Sequence, residues 1–142
     1  MKEAKRESMR WLLQAKDDLQ FVEWVMREGV FFDKGCFIAQ QAGEKILKAC
    51  LYATGKRRVI GHSLFEMIGA LGKIEDDFKE ISEQAKRLDR FYITTRYPNG
   101  LPGGSPFQLY SSSDLQSALE DLTEIFKLAE QFLEKNDITP NV

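Results

Sequence analysis

The segment Ala39-Gln40-Gln41-Ala42-Gly43-Glu44-Lys45-Ile46-Leu47-Lys48-Ala49 sets an amide, a carboxylate and two ammonium groups beside an apolar stripe. Gln41, Glu44, Lys45 and Lys48 are linked by steps of three and four residues, so on a helix they reach one another. Such a row either receives an anion or closes on itself as a Glu44–Lys48 ion pair on a solvated face. Two further places carry reactive or charged groups. Histidine is the side-chain type that titrates near neutrality, so His62, the chain's single histidine, is the natural acid/base candidate. Its alternative role is a packed, backbone-bonded residue near a helix start. Arg96-Tyr97-Pro98 pairs a guanidinium fork suited to phosphate or carboxylate with a ring for stacking. A loop arginine bound to a bundle carboxylate such as Glu44 is the competing reading.

The elements that must position these groups are helical. Ser8, Trp11, Ala15, Leu19, Val22 and Met26 keep a three-four rhythm, which predicts a first helix over residues 3–28, stopped at Gly29. A second helix is expected from Asp33, as N-cap, to Thr54. Its seam of Ala39, Gly43, Ile46, Cys50 and Ala53 is made of small residues that admit a close neighbour. After the basic loop Lys56-Arg57-Arg58, Ser63 with Glu66 three positions on predicts a capped third helix ending near Gly72. Phe78, Ile81, Ala85, Leu88 and Tyr92 predict a fourth helix over 75–93. The proline- and glycine-rich stretch 97–113 reads as a long irregular loop, a kind of segment that usually has a use. A last helix over 114–135 follows, capped by Ser113 or Asp114. No segment alternates with period two.

These elements predict one all-α domain over residues 1–142, an up-and-down antiparallel four-helix bundle with an additional short helix. A chain of 142 residues buries a core without metal or disulfide help. Cys36 and Cys50 fall on one seam roughly 20 Å apart along the helix, too far for a bridge. With one histidine, no metal site is expected, and no cofactor. Net charge is -2, so there is no global basic field and any anion site must be local. No apolar run approaches the ~20 residues of a membrane span, and the charged start is no secretory signal; a cytoplasmic protein is expected. Trp24, Phe37 and Phe126 lie outside a single seam and suggest a second buried face, hence a homodimer.

Trp11, Ala15 and Asp18-Leu19, then Ala39-Gln40-Gln41-Ala42-Gly43-Glu44-Lys45 with Leu47-Lys48, then Gly61-His62-Ser63-Leu64 and Arg96-Tyr97-Pro98, follow one another in an order that resembles a known family. The pattern is similar to prokaryotic HEPN-domain proteins of the stand-alone branch encoded beside a minimal nucleotidyltransferase. The resemblance covers nearly the whole chain. It implies a helical bundle, commonly homodimeric, that binds a nucleotide or RNA and works with the nucleotidyltransferase in a toxin–antitoxin-like system. Gln41, Glu44, Lys45, Lys48, His62, Arg96 and Tyr97 become the nucleotide- and phosphate-binding candidates. Many HEPN proteins are metal-independent ribonucleases whose site is an arginine, four to six residues, then a histidine in a late helix. Arg96 occupies the arginine place, but residues 97–142 contain no histidine. An arginine does not titrate near neutral pH, so weak or absent catalysis is the expectation. The alternative is a ribonuclease toxin that uses Arg96 with His62.

Overall fold

Helix α1, Lys2–Glu28, turns Leu12, Ala15, Val22 and Val25 inward, together with Ser8 and Asp18. The computed structural model describes residues 2–140. A three-residue link reverses the chain into α2, Phe32–Ala53. The link ends on Phe31 in the left-handed region at φ 57°, an uncommon conformation for a bulky side chain. Asp33 therefore stands inside the first turn of α2 and is not its cap: no side chain caps this end. It offsets the positive end of the helix from within, as an acidic residue in a first turn does.

The remaining helices are α3 (Leu64–Gly72), α4 (Ser82–Asp89), α5 (Phe91–Thr94), α6 (Pro106–Leu109) and α7 (Ser112–Lys135). The single fourth helix expected over 75–93 is divided into a 3₁₀ segment, Asp76–Ile81, then α4 and α5. Its apolar spacing holds across the breaks, with Phe78, Ile81, Ala85 and Leu88 all buried, so periodicity alone does not reveal them. The 97–113 stretch is also more ordered than a plain loop. It contains a 3₁₀ turn at Pro98–Gly100 and α6, which a Ser105/Gln108 capping box starts. Helix α7 begins two residues earlier than expected because Ser111 is the cap and Asp114 the reciprocal partner three positions on. The Ser63 cap of α3 is as expected, its side chain accepting from the Glu66 N–H.

Contact pairs give the helix directions. Ser8 Oγ donates to the Ala49 carbonyl (2.7 Å) and Lys45 pairs with Asp18, so α1 and α2 are antiparallel. Gly35 faces Leu115, Gly43 faces Leu122, and Cys50 Sγ donates to the Ala129 carbonyl (3.7 Å), so α2 and α7 run the same way. Gln84 bonds Glu124 and Arg87 bonds Asp121, making α4 antiparallel to α7. In chain order α1, α2, α4 and α7 alternate in direction, and α3 is the additional short helix. The fold is the all-α up-and-down bundle expected. No described helix is long and apolar enough to cross a membrane.

The seam residues Ala39, Gly43, Ile46 and Cys50 are fully buried at the centre. A Cβ at Gly43 would stand 2.5 Å from Leu64 Cδ2, so the absent side chain is what lets α3 seat against α2. Phe126 belongs to this core and not to a second face. Trp24 is the opposite case, exposed on α1 with Leu13 and Phe21.

Candidate functional site

Glu44 leaves the α2 seam sideways and is buried, its side chain 6% exposed. It accepts from Lys48 Nζ (3.1 Å) and Gln41 Nε2 (3.3 Å), and lies 3.2 Å from His62 Nδ1. The Glu44–Lys48 pair is thus buried rather than on a solvated face, and it reaches out to His62. The Lys48 ammonium also sits over the Trp11 ring, 5.2 Å from its centroid. Lys45 turns the other way, pairing with Asp18 at 2.5 Å and lining a separate cleft with Trp11 and Arg10.

His62 is placed by its backbone as much as by its ring. Gly61, at φ 107°, makes a left-handed step that a side chain would oppose. The His62 carbonyl then accepts from the buried Gln40 amide at 2.9 Å. The next residues are tied down by Asp89 at the end of α4, which accepts from Ser63 Oγ (3.0 Å), Leu64 N (2.9 Å) and Phe65 N (3.0 Å). A carboxylate from another helix thus satisfies donors at the N-terminus of α3 and fixes where it starts. The His62 ring itself is 59% exposed and stacks on Tyr92, centroids 5.0 Å apart.

Tyr92 joins this half to the second. Arg96 follows the end of α5 and folds back, its Nε donating to the Tyr92 carbonyl at 2.8 Å. Its guanidinium carbon lies 4.5 Å from the Tyr92 centroid, 4.6 Å from Phe37 and 5.2 Å from Tyr97. Arginine held by three rings in this way stays solvent-facing while losing little freedom on binding an anion. It is not bound to Glu44. His62 and Arg96 are therefore separated by no more than the sum of their distances to one shared ring, although 34 residues part them in the chain.

One connected line results: Trp11, Lys48, Glu44, His62, Tyr92, Arg96, Tyr97. Of the seven candidates, Gln41, Glu44 and Lys48 form its inner half, His62, Arg96 and Tyr97 its exposed half, and Lys45 lies aside. Phe37, Tyr92, Gln40 and Asp89 complete it and were not singled out as site residues. Tyr92 and Phe37 read in the sequence as apolar-face residues, and Asp89 as one of many surface acids. Only the Gln40-Gln41 doublet, polar beside a buried seam, carries a sequence signal. Chemically, Glu44 holds the imidazole through Nδ1, which leaves Nε2 for a ligand, as in carboxylate–histidine pairs. Arg96 supplies fixed positive charge beside it.

A model of the HEPN domain matches residues 8–135, nearly the entire chain. The chain belongs to the HEPN domain family. Solved structures agree with that assignment. A Thermus thermophilus protein is 32% identical, with 89% of this chain and 98% of that chain covered and a TM-score of 0.83. An archaeal HEPN homologue is 25% identical over the same shares, with a TM-score of 0.72. A HEPN domain protein from Thermotoga maritima is 28% identical, again over 89% and 98%, with a TM-score of 0.69. No match is found among curated proteins. Membership supports a nucleotide- or RNA-related function in general terms.

Proposed function

We propose that this HEPN domain binds a nucleotide or single-stranded RNA on the His62–Tyr92–Arg96–Tyr97 surface, as a homodimer working with a nucleotidyltransferase partner in a toxin–antitoxin-like system. The observation that carries the reading is the shared Tyr92 ring, which brings an exposed imidazole and an exposed guanidinium to one place. Arg96 and His62 contact phosphate; Tyr97, half exposed, stacks on a base. Lys48 is engaged by Glu44 and serves the site by holding that carboxylate, while Lys45 is engaged by Asp18 away from it. Titration calorimetry with ATP, other nucleotides and short RNA, with and without a co-expressed nucleotidyltransferase, tests it. Arg96→Ala and Tyr97→Ala are expected to weaken binding of every sequence by roughly ten-fold each, in line with stacking and charge-assisted contacts. Absence of heat under all of these conditions sinks the proposal. Light scattering on the purified protein reads its mass.

A second reading has an observation of its own. The Glu44–His62 pair beside Arg96 matches what 2′-hydroxyl activation asks for. In that reaction His62 Nε2 removes the 2′-hydroxyl proton, the 2′-oxygen bonds to phosphorus, and the bond to the 5′-oxygen breaks. That oxygen takes up a proton from water, and the His62 imidazolium returns its proton to solvent, giving a 2′,3′-cyclic phosphate and a free 5′-hydroxyl, while Arg96 offsets the phosphoryl charge. RNA integrity in growing cells that express the wild type or His62→Ala decides between the readings. RNA breakdown and growth arrest that vanish in the variant establish the ribonuclease; intact RNA in both leaves the binding function.

A further inference from the structure

Sharing Arg96 and Phe37 with the line described above, a cleft of about 330 Å³ opens between the start of α2 and the segment from Pro98 to Phe107. Its walls include Asp33, Lys34, Phe37, Thr95, Arg96 and Phe107. Asp33 lines the cleft while only 4% exposed, and Phe107, 68% exposed, adds an open ring to it. Lys34 Nζ holds one Asp33 oxygen at 2.9 Å. A carboxylate offers about four lone-pair directions, so both oxygens keep capacity for further donors.

We propose that this cleft is a base pocket selective for guanine, with Asp33 as the group that reads the base. The inference rests on the RNA-binding reading and names the nucleotide it favours. A guanine Watson–Crick edge presents two adjacent donors, N1–H and the N2 amine, which match the two oxygens of one carboxylate. Adenine places an acceptor where guanine has N1–H, so its edge sets a lone pair against the Asp33 oxygens. Phe107 supplies a plane for the base, Phe37 an apolar wall, and Arg96 at the rim meets the attached phosphate. Asp33 with a purely structural role in the first turn of α2 predicts no such preference.

The test uses the full chain and two RNA pentanucleotides, UUGUU and UUAUU, at one fixed salt concentration. The wild type is expected to bind the guanine-containing strand roughly ten-fold or more tightly, the size of one good bidentate contact. Asp33→Asn is expected to erase that preference while its melting temperature and its affinity for UUAUU stay near wild type. An inosine-containing strand, which lacks the N2 amine, is expected to fall between the two. Equal wild-type affinity for the guanine and adenine strands overturns the base pocket and leaves the RNA-binding reading standing. Failure to bind either strand overturns the base pocket, and it overturns the RNA-binding reading as well when the nucleotide and RNA titrations described above also give no heat. The wild-type comparison stands even where Asp33→Asn does not fold.

Discussion

Removing the Glu44 carboxylate by Glu44→Ala leaves the Lys48 ammonium almost without water and without a counter-ion, since the Lys48 and Glu44 side chains are 8% and 6% exposed. It also takes an acceptor from Gln41 and His62. Breaking a buried pair from one side costs about 3–5 kcal/mol, several times what an exposed pair contributes. For a chain of this size that is a large share of a total near ~5–15 kcal/mol and lowers Tm by about 10 °C or more. The Glu44→Gln/Lys48→Met double variant removes both charges and keeps the volume, so it is expected to return to within about 1 kcal/mol of wild type or better. Urea unfolding of the wild type and these variants measures both numbers, provided the slope with denaturant is unchanged. A loss below about 1 kcal/mol for Glu44→Ala shows that the pair is solvated in solution and refutes the argument.

Three more outcomes follow from the same contacts. Asp89→Ala strips three donors at the start of α3 of their acceptor; a loss of about 2–3 kcal/mol is expected, as for a lost helix cap plus a lost hydrogen bond. Because His62 sits just before that start, RNA affinity measured by calorimetry falls as well, and an unchanged affinity argues against positioning through Asp89. The Cys36 thiol is pushed up to about 12 by burial and by the nearby Asp114 and Asp33 carboxylates. Iodoacetamide at pH ~8, below the ordinary thiol range, is therefore expected to spare it in the native protein and to label it in urea. The raised value favours the protonated folded form, so this stabilisation is complete below pH 9.0 and is lost as pH rises toward 12; chemical unfolding across that window reads it. Gly43→Val drives a side chain into Leu64 and is expected to cost about 1–3 kcal/mol by overpacking, visible as a lower urea midpoint. A neutral result there shows that α3 yields easily.

The helical class and the inward faces can be read from residue spacing, because apolar periodicity is a local signal that survives any arrangement of neighbours. Ala39, Gly43, Ile46 and Cys50 were legible as a close-packed seam, and Ser63 with Glu66 as a helix start, since each relies on residues within a few turns. The breaks between Asp76 and Thr94 were not legible, because a 3₁₀ turn keeps the same residues inward. Asp33 and the Ser111 cap were missed by a residue or two, where several polar side chains compete for the same end. The site was legible in part. Glu44 meeting Lys48 follows from a four-residue step, but the cover over the Lys48 ammonium depends on α1 bringing Trp11 against it. That His62 reaches Glu44, and that Tyr92 gathers His62 and Arg96, was decided only when α3 and α5 came to rest against α2. Contacts between residues dozens of positions apart leave no periodic trace in a single chain; they exist only once helix packing has set the distances.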